Sequence, residues 1–269
     1  MKRLGILGWP VAHSRSPLIH RHWIAAHGLD ADYVPCPVSP DADMAATLEK
    51  LRMEGFVGLN ITIPHKEKVF AQLTQLRPAA KRLAAVNTLA LENEVWVGDN
   101  TDAAGFADAL AAHTGIRRAL VLGAGGAARA VVGALIDGGV ESVCIANRTR
   151  ARAEALAADV EQAHVCDWES RNTALADCDA LINATSLGMD GAPPLDIALD
   201  ALAAESVVVD LVYAPLETAL LAEARARGLA AVDGLGMLLH QAARAFEIWF
   251  GVRPSVDADL DALLRADLA

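Results

Sequence analysis

The 269-residue chain is short of aromatic side chains (4% of the total), of cysteine (four residues) and of positive charge, with 23 lysines and arginines against 34 acids and a net charge of −11. The cationic deficit argues against a nucleic-acid or acidic-membrane partner, either of which favours a basic face. A small anionic ligand remains compatible, because a few local cations suffice to bind one. The cysteines, at 36, 144, 166 and 178, form no CxxC pair, and at this density they do not make a disulfide framework. They read as reduced thiols of a cytoplasmic protein, and no metal site is expected. No apolar run is long enough to span a bilayer. The opening "MKRLGILGWPVAHS" faintly mimics a signal peptide, but its apolar run is short and broken by Pro10, so it reads as a first strand. Few aromatics beside abundant alanine imply tight helix packing.

Just over half the chain is apolar, enough for a sizeable core, and its length suits two medium domains or one large one. Short apolar runs alternate with helical patterns, which indicates an α/β fold. "RLGIL", "ADYVPCPV" and "FVGLNITI" read as strands, with helices from about 17 to 27 and over 41–53 and helical segments continuing to about 84. "NTLALENEVWVGD" reads as a hairpin turning at Glu92-Asn93. From about residue 102 strands and helices alternate again in a doubly wound βαβ pattern. Beyond Gly234 the chain is helical. The expected domains are 1–101, a substrate unit rejoined by 235–269, and 102–234, a dinucleotide unit.

"GAGGAAR", residues 123–129, follows a strand and opens a helix. In that setting Gly123 permits the tight turn, Gly125 lets a pyrophosphate approach the backbone, and the helix N-terminus offers amide donors. Ala128 stands for the third glycine of the fingerprint, a tolerated change. Roughly 20 residues after the first glycine an NAD site carries an acid for the ribose hydroxyl. Here "NRTR", Asn147 to Arg150, has none. Two arginines and a threonine suit a 2′-phosphate instead, so NADP is the expected cofactor.

Several stretches carry candidate chemistry. In "HSRSPLIH", Ser16 before Pro17 suits a helix cap, which leaves Ser14 unexplained. In "NITIPHK", Pro64 is expected to start a helix with Lys66 in its first turn, where a cation opposes the helix dipole. Such breaches gather at functional sites, although a solvated lysine offset by Glu67 would look the same. In "GDNTD", Thr101 or Asp102 suits an N-cap, and Asp102 also falls at the domain boundary, where a cleft would lie. Asn87 sits at the mouth of the hairpin. Gln241 interrupts an apolar stripe of Leu238, Ala242, Ala245 and Trp249, either as a bonded core amide or as a ligand contact.

"SRSP", "NITIPHK", "AVNTL", "GDNTD", "GAGGAAR", "NRT", "NATSLGM", "DLVYAPLET" and "GLGMLLHQAARAFEIW" occur in that order along nearly the whole chain. Together they resemble the shikimate dehydrogenase family. The resemblance implies a substrate domain, an NADP domain and final helices that pack back on the first. It also implies NADPH-dependent reduction of 3-dehydroshikimate to shikimate in aromatic amino-acid synthesis. Lys66 and Asp102 match the family's catalytic pair. Ser14 and Ser16 match its carboxylate-binding hydroxyls, and Thr62, Asn87, Tyr213 and Gln241 its other substrate contacts. Gly123, Ala124, Gly125, Gly126 and Ala127, with Asn147, Arg148, Thr149, Arg150, Ala151 and Arg152, match the phosphate and ribose segments, while Leu211 and Gly234 match positions near the nicotinamide. Arg21, Ala214 and Ala219 depart from frequent family residues. If Ser14 to Ser16 is extended, the two hydroxyls project to one side and can share one carboxylate, with Tyr213 as a third donor. A quinate/shikimate dehydrogenase using NAD is the near alternative, and a non-catalytic NADP-sensing module the distant one. The protein is expected to be a monomer or homodimer.

Overall fold

The computed structural model describes residues 1–158 and 160–268. Ala269, the last residue of the segment expected to rejoin the substrate unit, lies outside them. The chain divides into two units, Met1–Asp102 with Leu239–Leu264, and Ala103–Leu238 with the chain from Arg265.

The first unit runs β1 (Lys2–Gly8), α1 (Ser16–Ala26), β2 (Ala31–Pro37), α2 (Met44–Met53), β3 (Phe56–Ile61), α3 (Lys66–Gln72), β4 (Gln75–Leu76), α4 (Pro78–Leu83), β5 (Thr88–Glu92) and β6 (Val95–Asp99). Its sheet has the order β2-β1-β3-β5-β6-β4. The strands joined through helices, β1 with β2 and β3, are parallel, as crossover connections require. The directly linked β5 and β6 are antiparallel. The hairpin turns one residue later than expected, at Asn93-Glu94, both with positive φ (48° and 63°), the conformation that matches the twist of the flanking strands. The two-residue β4 lies within a stretch expected to be helical.

One face of this sheet packs on α2 and α3 through Leu48, Leu51, Leu59, Val69 and Leu89. An aromatic cluster also belongs to this unit, formed by Trp23 of α1, Tyr33 of β2, and Phe246 and Trp249 near the end of the chain. The Trp249 ring passes so close to β3 that a Cβ on Gly58 would lie 2.4 Å from it, and its Nε1 donates to Leu89 O at 2.8 Å. Glycine at 58 is therefore what lets an indole lie flat on the strand.

The second unit contains α5 (Asp102–Leu110, beginning at the boundary residue), β7 (Arg118–Leu122), α6 (Gly126–Asp137), β8 (Ser142–Ala146), α7 (Arg150–Ala157), β9 (Ala163–Cys166), α8 (Arg171–Ala174), β10 (Ala180–Asn183), β11 (Val207–Asp210), α9 (Ala219–Ala226) and β12 (Ala230–Val232). Two further helices follow, α10 (Gly234–Phe250) and α11 (Ala258–Leu268), and the boundary after Leu238 falls within α10. The sheet is parallel throughout, in the order β12-β11-β10-β7-β8-β9. Numbered within the unit this is 3-2-1-4-5-6, the doubly wound dinucleotide order, whose switch point lies between β7 and β10. The central strands β10 and β11 are buried along their length, as expected where helices cover both faces. No described helix is long and apolar enough to cross a membrane.

Candidate active site

Lys66 is the first residue of α3. Pro64 lies outside the helix, before its cap residue His65, rather than within the first turn as expected. The loop carrying them is tied down by Thr62 N donating to Leu7 O (2.9 Å) and Trp9 N donating to Ile63 O (3.0 Å). The buried His65 ring, with Nε2 2.8 Å from Val38 O, anchors it further. The Lys66 side chain is only 15% exposed, and its ammonium donates to Asp102 Oδ2. Lys66 is therefore not a solvated surface cation. A nearby carboxylate offsets the unfavourable position at the start of a helix, worth about 0.3–1 kcal/mol.

Asp102, the first residue of α5, is 6% exposed. Its carboxylate does not cap the helix. Asn100 Oδ1 accepts from Asp102 N at 3.0 Å, which frees both carboxylate oxygens for partners. Oδ2 takes Lys66, and Oδ1 accepts from Asn87 Nδ2 at 2.8 Å. Asn87 Nδ2 also lies 2.9 Å from Thr101 Oγ1 and 3.4 Å from Gln241 Oε1. Thr101 N donates to Asn87 Oδ1 at 2.8 Å. Lys66, Asn87, Asp102 and Gln241 thus converge in one network.

Three residues not singled out in sequence extend it. Asn60 of β3 and Thr88 of β5 are opposite partners in the sheet. Asn60 Nδ2 donates to Thr88 Oγ1 (3.2 Å), which donates to Asn87 Oδ1 (2.9 Å). Tyr33 Oη donates to Asn60 Oδ1 at 2.6 Å. All three are buried. The available signal was a polar side chain inside an otherwise apolar strand, since buried polar groups need partners.

The serines differ from the expectation. Arg15 is helical (φ −86°, ψ −5°) and occupies the cap position without a side-chain capping bond, its guanidinium donating instead to His13 O at 2.9 Å, and Ser16 is the first residue of α1. The segment is a turn rather than extended chain, and Ser16 is not a side-chain cap. The turn still keeps the pair together, with Ser16 N donating to Ser14 Oγ at 3.3 Å. Ser16 is buried and Ser14 half-buried. Thr62 is half-buried on the loop, so close to β1 that a Cβ on Gly8 would lie 2.3 Å from its Cγ2. Arg21 pairs with Asp32 at 3.0 Å on the surface, and α1 packs through Ile19, Trp23 and Ile24.

In the second unit, Gly123 follows β7 with φ +110°, and a Cβ there would meet Ala184 O at 2.9 Å. Only glycine fits that turn without strain. Gly125 precedes α6 and faces open space. Gly126 and Ala127 begin the helix, Ala124 is buried, and Ala128 is wholly buried in the packing role of the third glycine. Past β8, Asn147 Nδ2 donates to Thr149 O (2.9 Å). Arg148, Thr149, Arg150, Ala151 and Arg152 are exposed, and Arg150 pairs with Glu154 and Asp167. An open glycine turn with adjacent exposed guanidiniums fits a phosphorylated dinucleotide. A Cβ on Gly234 would lie 2.2 Å from Leu211 O, so these two backbones are in direct contact. Tyr213 is half-buried on the loop after β11, in the second unit, whereas Ser14 and Ser16 are in the first.

"NATSLGM" and "DLVYAPLET" are joined by a buried network. Asn183 Nδ2 donates to Asp210 Oδ1 (2.9 Å), and Thr218 Oγ1 donates to Asp210 Oδ2 (2.7 Å). Burial pushes the Asp210 carboxyl up, against those hydrogen bonds. The four cysteines are free. Among the described residues no cluster of three or more His, Cys, Asp or Glu could hold a metal ion.

Family models match three segments: the shikimate dehydrogenase substrate binding domain (residues 6–89), shikimate/quinate 5-dehydrogenase (106–189) and the shikimate 5′-dehydrogenase C-terminal domain (234–264). The chain is 52% identical to a shikimate dehydrogenase (NADP(+)) from Methylocella silvestris, over 99% of this chain and 96% of the relative. It is similar to the crystal structure of shikimate 5-dehydrogenase from Thermus thermophilus in complex with NADP(H) and shikimate (38% identity, TM-score 0.88, all of both chains). It is also similar to quinate dehydrogenase from Corynebacterium glutamicum in complex with NAD (32% identity, TM-score 0.90, 98% of each). The chain belongs to the shikimate dehydrogenase family.

Proposed function

We propose that this protein is an NADP-dependent shikimate dehydrogenase that reversibly reduces 3-dehydroshikimate to shikimate on the route to aromatic amino acids. The observation that carries the reading is the shielded Lys66–Asp102 pair, braced by Asn87. Bound NADPH would supply a hydride to the ring carbonyl carbon. Lys66 stabilises the negative charge that grows on the carbonyl oxygen and delivers a proton to it. Asp102, fixed through its other oxygen by Asn87, aims the ammonium and binds a ring hydroxyl. Ser14 and Ser16 hold the substrate carboxylate, with Thr62, Asn87, Tyr213 and Gln241 as further contacts.

Gly123 to Ala127 hold the pyrophosphate, Asn147 to Arg152 hold the phosphorylated ribose, and Leu211 and Gly234 flank the nicotinamide. The substrate unit is 1–101 with 235–269, and the NADP unit is 102–234. With free thiols, the enzyme works in the cytoplasm, as a monomer or homodimer.

Quinate oxidation with NAD is the second reading, favoured by the equally good match to a quinate dehydrogenase fold. Against it stand the arginines after β8 in place of an acid. The test is to mix the purified protein with shikimate and NADP and follow nicotinamide absorbance. Shikimate-dependent NADPH formation is expected, and its absence would overturn the assignment.

A further inference from the structure

Three consecutive residues hold both members of the Lys66–Asp102 pair. Val86 N donates to the main-chain O of Lys66 at 3.0 Å. The Asn87 amide donates to Asp102 Oδ1 at 2.8 Å. Thr88, wholly buried at the start of β5, donates to Asn87 Oδ1 at 2.9 Å. Nothing in the proposed reaction uses Thr88.

The Thr88 hydroxyl has one direction open to it. Asp102 carboxylate only accepts and Thr101 N only donates, so Asn87 turns its NH2 to the first and its Oδ1 to the second. Asn60 Nδ2 faces the main-chain O of Asn87 at 3.3 Å, again a group that only accepts, which fixes the second amide. Thr88 Oγ1 lies between Asn60 Nδ2 (3.2 Å) and Asn87 Oδ1. It therefore accepts from Asn60 and gives its hydrogen to Asn87, Thr101 Oγ1 being farther away at 3.5 Å. Tyr33 Oη starts the row by donating to Asn60 Oδ1 at 2.6 Å. Every hydrogen from Tyr33 to Asn87 points toward Asp102, and a row so aligned polarises cooperatively.

The two bonds on Asn87 Oδ1 hold different things. Thr101 precedes Asp102 in the chain, so its bond keeps the amide with the segment that carries Asp102. Thr88 lies in the sheet opposite Asn60 of β3, and β3 leads through its loop to Lys66. Its bond ties the same amide to the sheet from which Lys66 is hung. The far end of the row is anchored too, because Tyr33 is fully buried and stacks on the His20 imidazole (centroids 4.3 Å apart).

We propose that Thr88 is a positioning residue for proton transfer: its hydroxyl locks the Asn87 amide to the sheet and, through that amide, fixes the Asp102 carboxylate that aims the Lys66 ammonium. The inference rests on the reading of Lys66 and Asp102 as the catalytic pair. Without the hydroxyl, Asn87 Oδ1 keeps Thr101 N and Asn60 Nδ2 keeps Asn87 O. Both amides stay partnered, and what is lost is the alignment of Asp102.

The test is the steady-state kinetics of Thr88→Val, of Thr88→Ser, and of Asn87→Ala with and without Thr88→Val. Thr88→Val keeps the shape and removes the hydroxyl. It should lower kcat about 3- to 10-fold, the range of one lost hydrogen bond. KM for shikimate and for NADP should stay within about twofold, the pattern of an interaction that matters in the transition state. Thr88→Ser should restore most of kcat. Added to Asn87→Ala, Thr88→Val should cost nothing further, because it acts through that amide. An unchanged kcat, a loss confined to KM, a serine variant as slow as the valine variant, or additive losses would overturn the inference.

Should Thr88→Val fold poorly, Thr88→Cys gives a second reading, since a thiol is the weaker donor on a side chain of serine's shape. Its kcat should fall below that of Thr88→Ser, and equal values would overturn the proposal. Shikimate turnover by the unaltered protein tests the parent reading separately. If that turnover is present and Thr88→Val matches it, only the inference about Thr88 fails.

Discussion

The candidate catalytic groups of the first unit are largely buried polar side chains, whereas the candidate dinucleotide segments of the second are a glycine turn and exposed cations. Lys66, Asn87, Asp102, Asn60 and Thr88 are locked to one another by named hydrogen bonds. Gly123 and Gly125 leave the backbone open to a ligand, and Arg148 and Arg150 are exposed, Arg150 being paired with Glu154 and Asp167. The scarce aromatics follow the same division. Trp23, Tyr33, Phe246 and Trp249 cluster in the first unit, while the second is cored by residues such as Leu120, Leu181, Val208 and Leu221. A site of interlocked side chains fixes reacting groups to a fraction of an ångström. A site of open backbone and solvated guanidiniums captures a charged ligand without positioning chemistry.

Substitutions in the two units should therefore fail in different ways. The largest effect belongs to Lys66→Ala. It should lower kcat by about 10²–10⁴, the usual worth of a positioned proton donor, with KM for shikimate less affected. Steady-state kinetics check this, and near-intact turnover would remove the distinction between the units.

The next is Gly123→Ala, which forces a Cβ to 2.9 Å from Ala184 O at φ +110°. It should cost about 1–3 kcal/mol in chemical denaturation and raise KM for NADP, with KM for shikimate little changed.

A third test concerns acid stability. Burial lowers the His20 pKa from 6.5 to about 3, with Asn60 acting weakly the other way, and both ring nitrogens are buried without a partner. Between those two values the unfolded chain binds the proton that the folded one refuses. The His20 contribution is therefore intact above pH 6.5 and is lost as pH falls, with a slope approaching about 1.4 kcal/mol per pH unit. His20→Phe, which keeps a ring on Tyr33, should flatten the stability–pH curve between pH 6 and 4. An unchanged slope would show that His20 already protonates in the folded state.

The smallest effect is that of Arg150→Gln, whose exposed guanidinium is already shared with Glu154 and Asp167; it should raise KM for NADP about tenfold or less and leave NAD kinetics unchanged.

What was legible in the sequence has a physical pattern. The apolar strands and the glycine turn into α6 are set by local chemistry, and the structure has them where expected. Lys66 is visible as a local breach, a cation at a helix start, and Asp102 as a candidate at the domain boundary, but only the family resemblance pairs them, because local pattern does not reach across 36 residues. Asn60 and Thr88 look unremarkable until β3 and β5 are known to be neighbours in that register. The hairpin turn was misplaced because Asn93-Glu94 adopts positive φ without a glycine to mark it. The Ser14–Ser16 segment was read as extended because a helical φ and ψ at Arg15 leaves no trace in residue type. The aromatic shortage implies tight helix packing but not where the few rings go, and only the fold shows Trp23, Tyr33, Phe246 and Trp249 gathered on α1, β2 and α10.

The most direct test of the central claim is a comparison of kcat/KM for shikimate and quinate, each with NADP and with NAD. Shikimate with NADP should be the best pair; replacing NADP by NAD should lower kcat/KM by about tenfold or more, the worth of one charge-assisted contact to the 2′-phosphate, and quinate should be the poorer substrate with either cofactor. Quinate with NAD matching or exceeding shikimate with NADP would contradict the account.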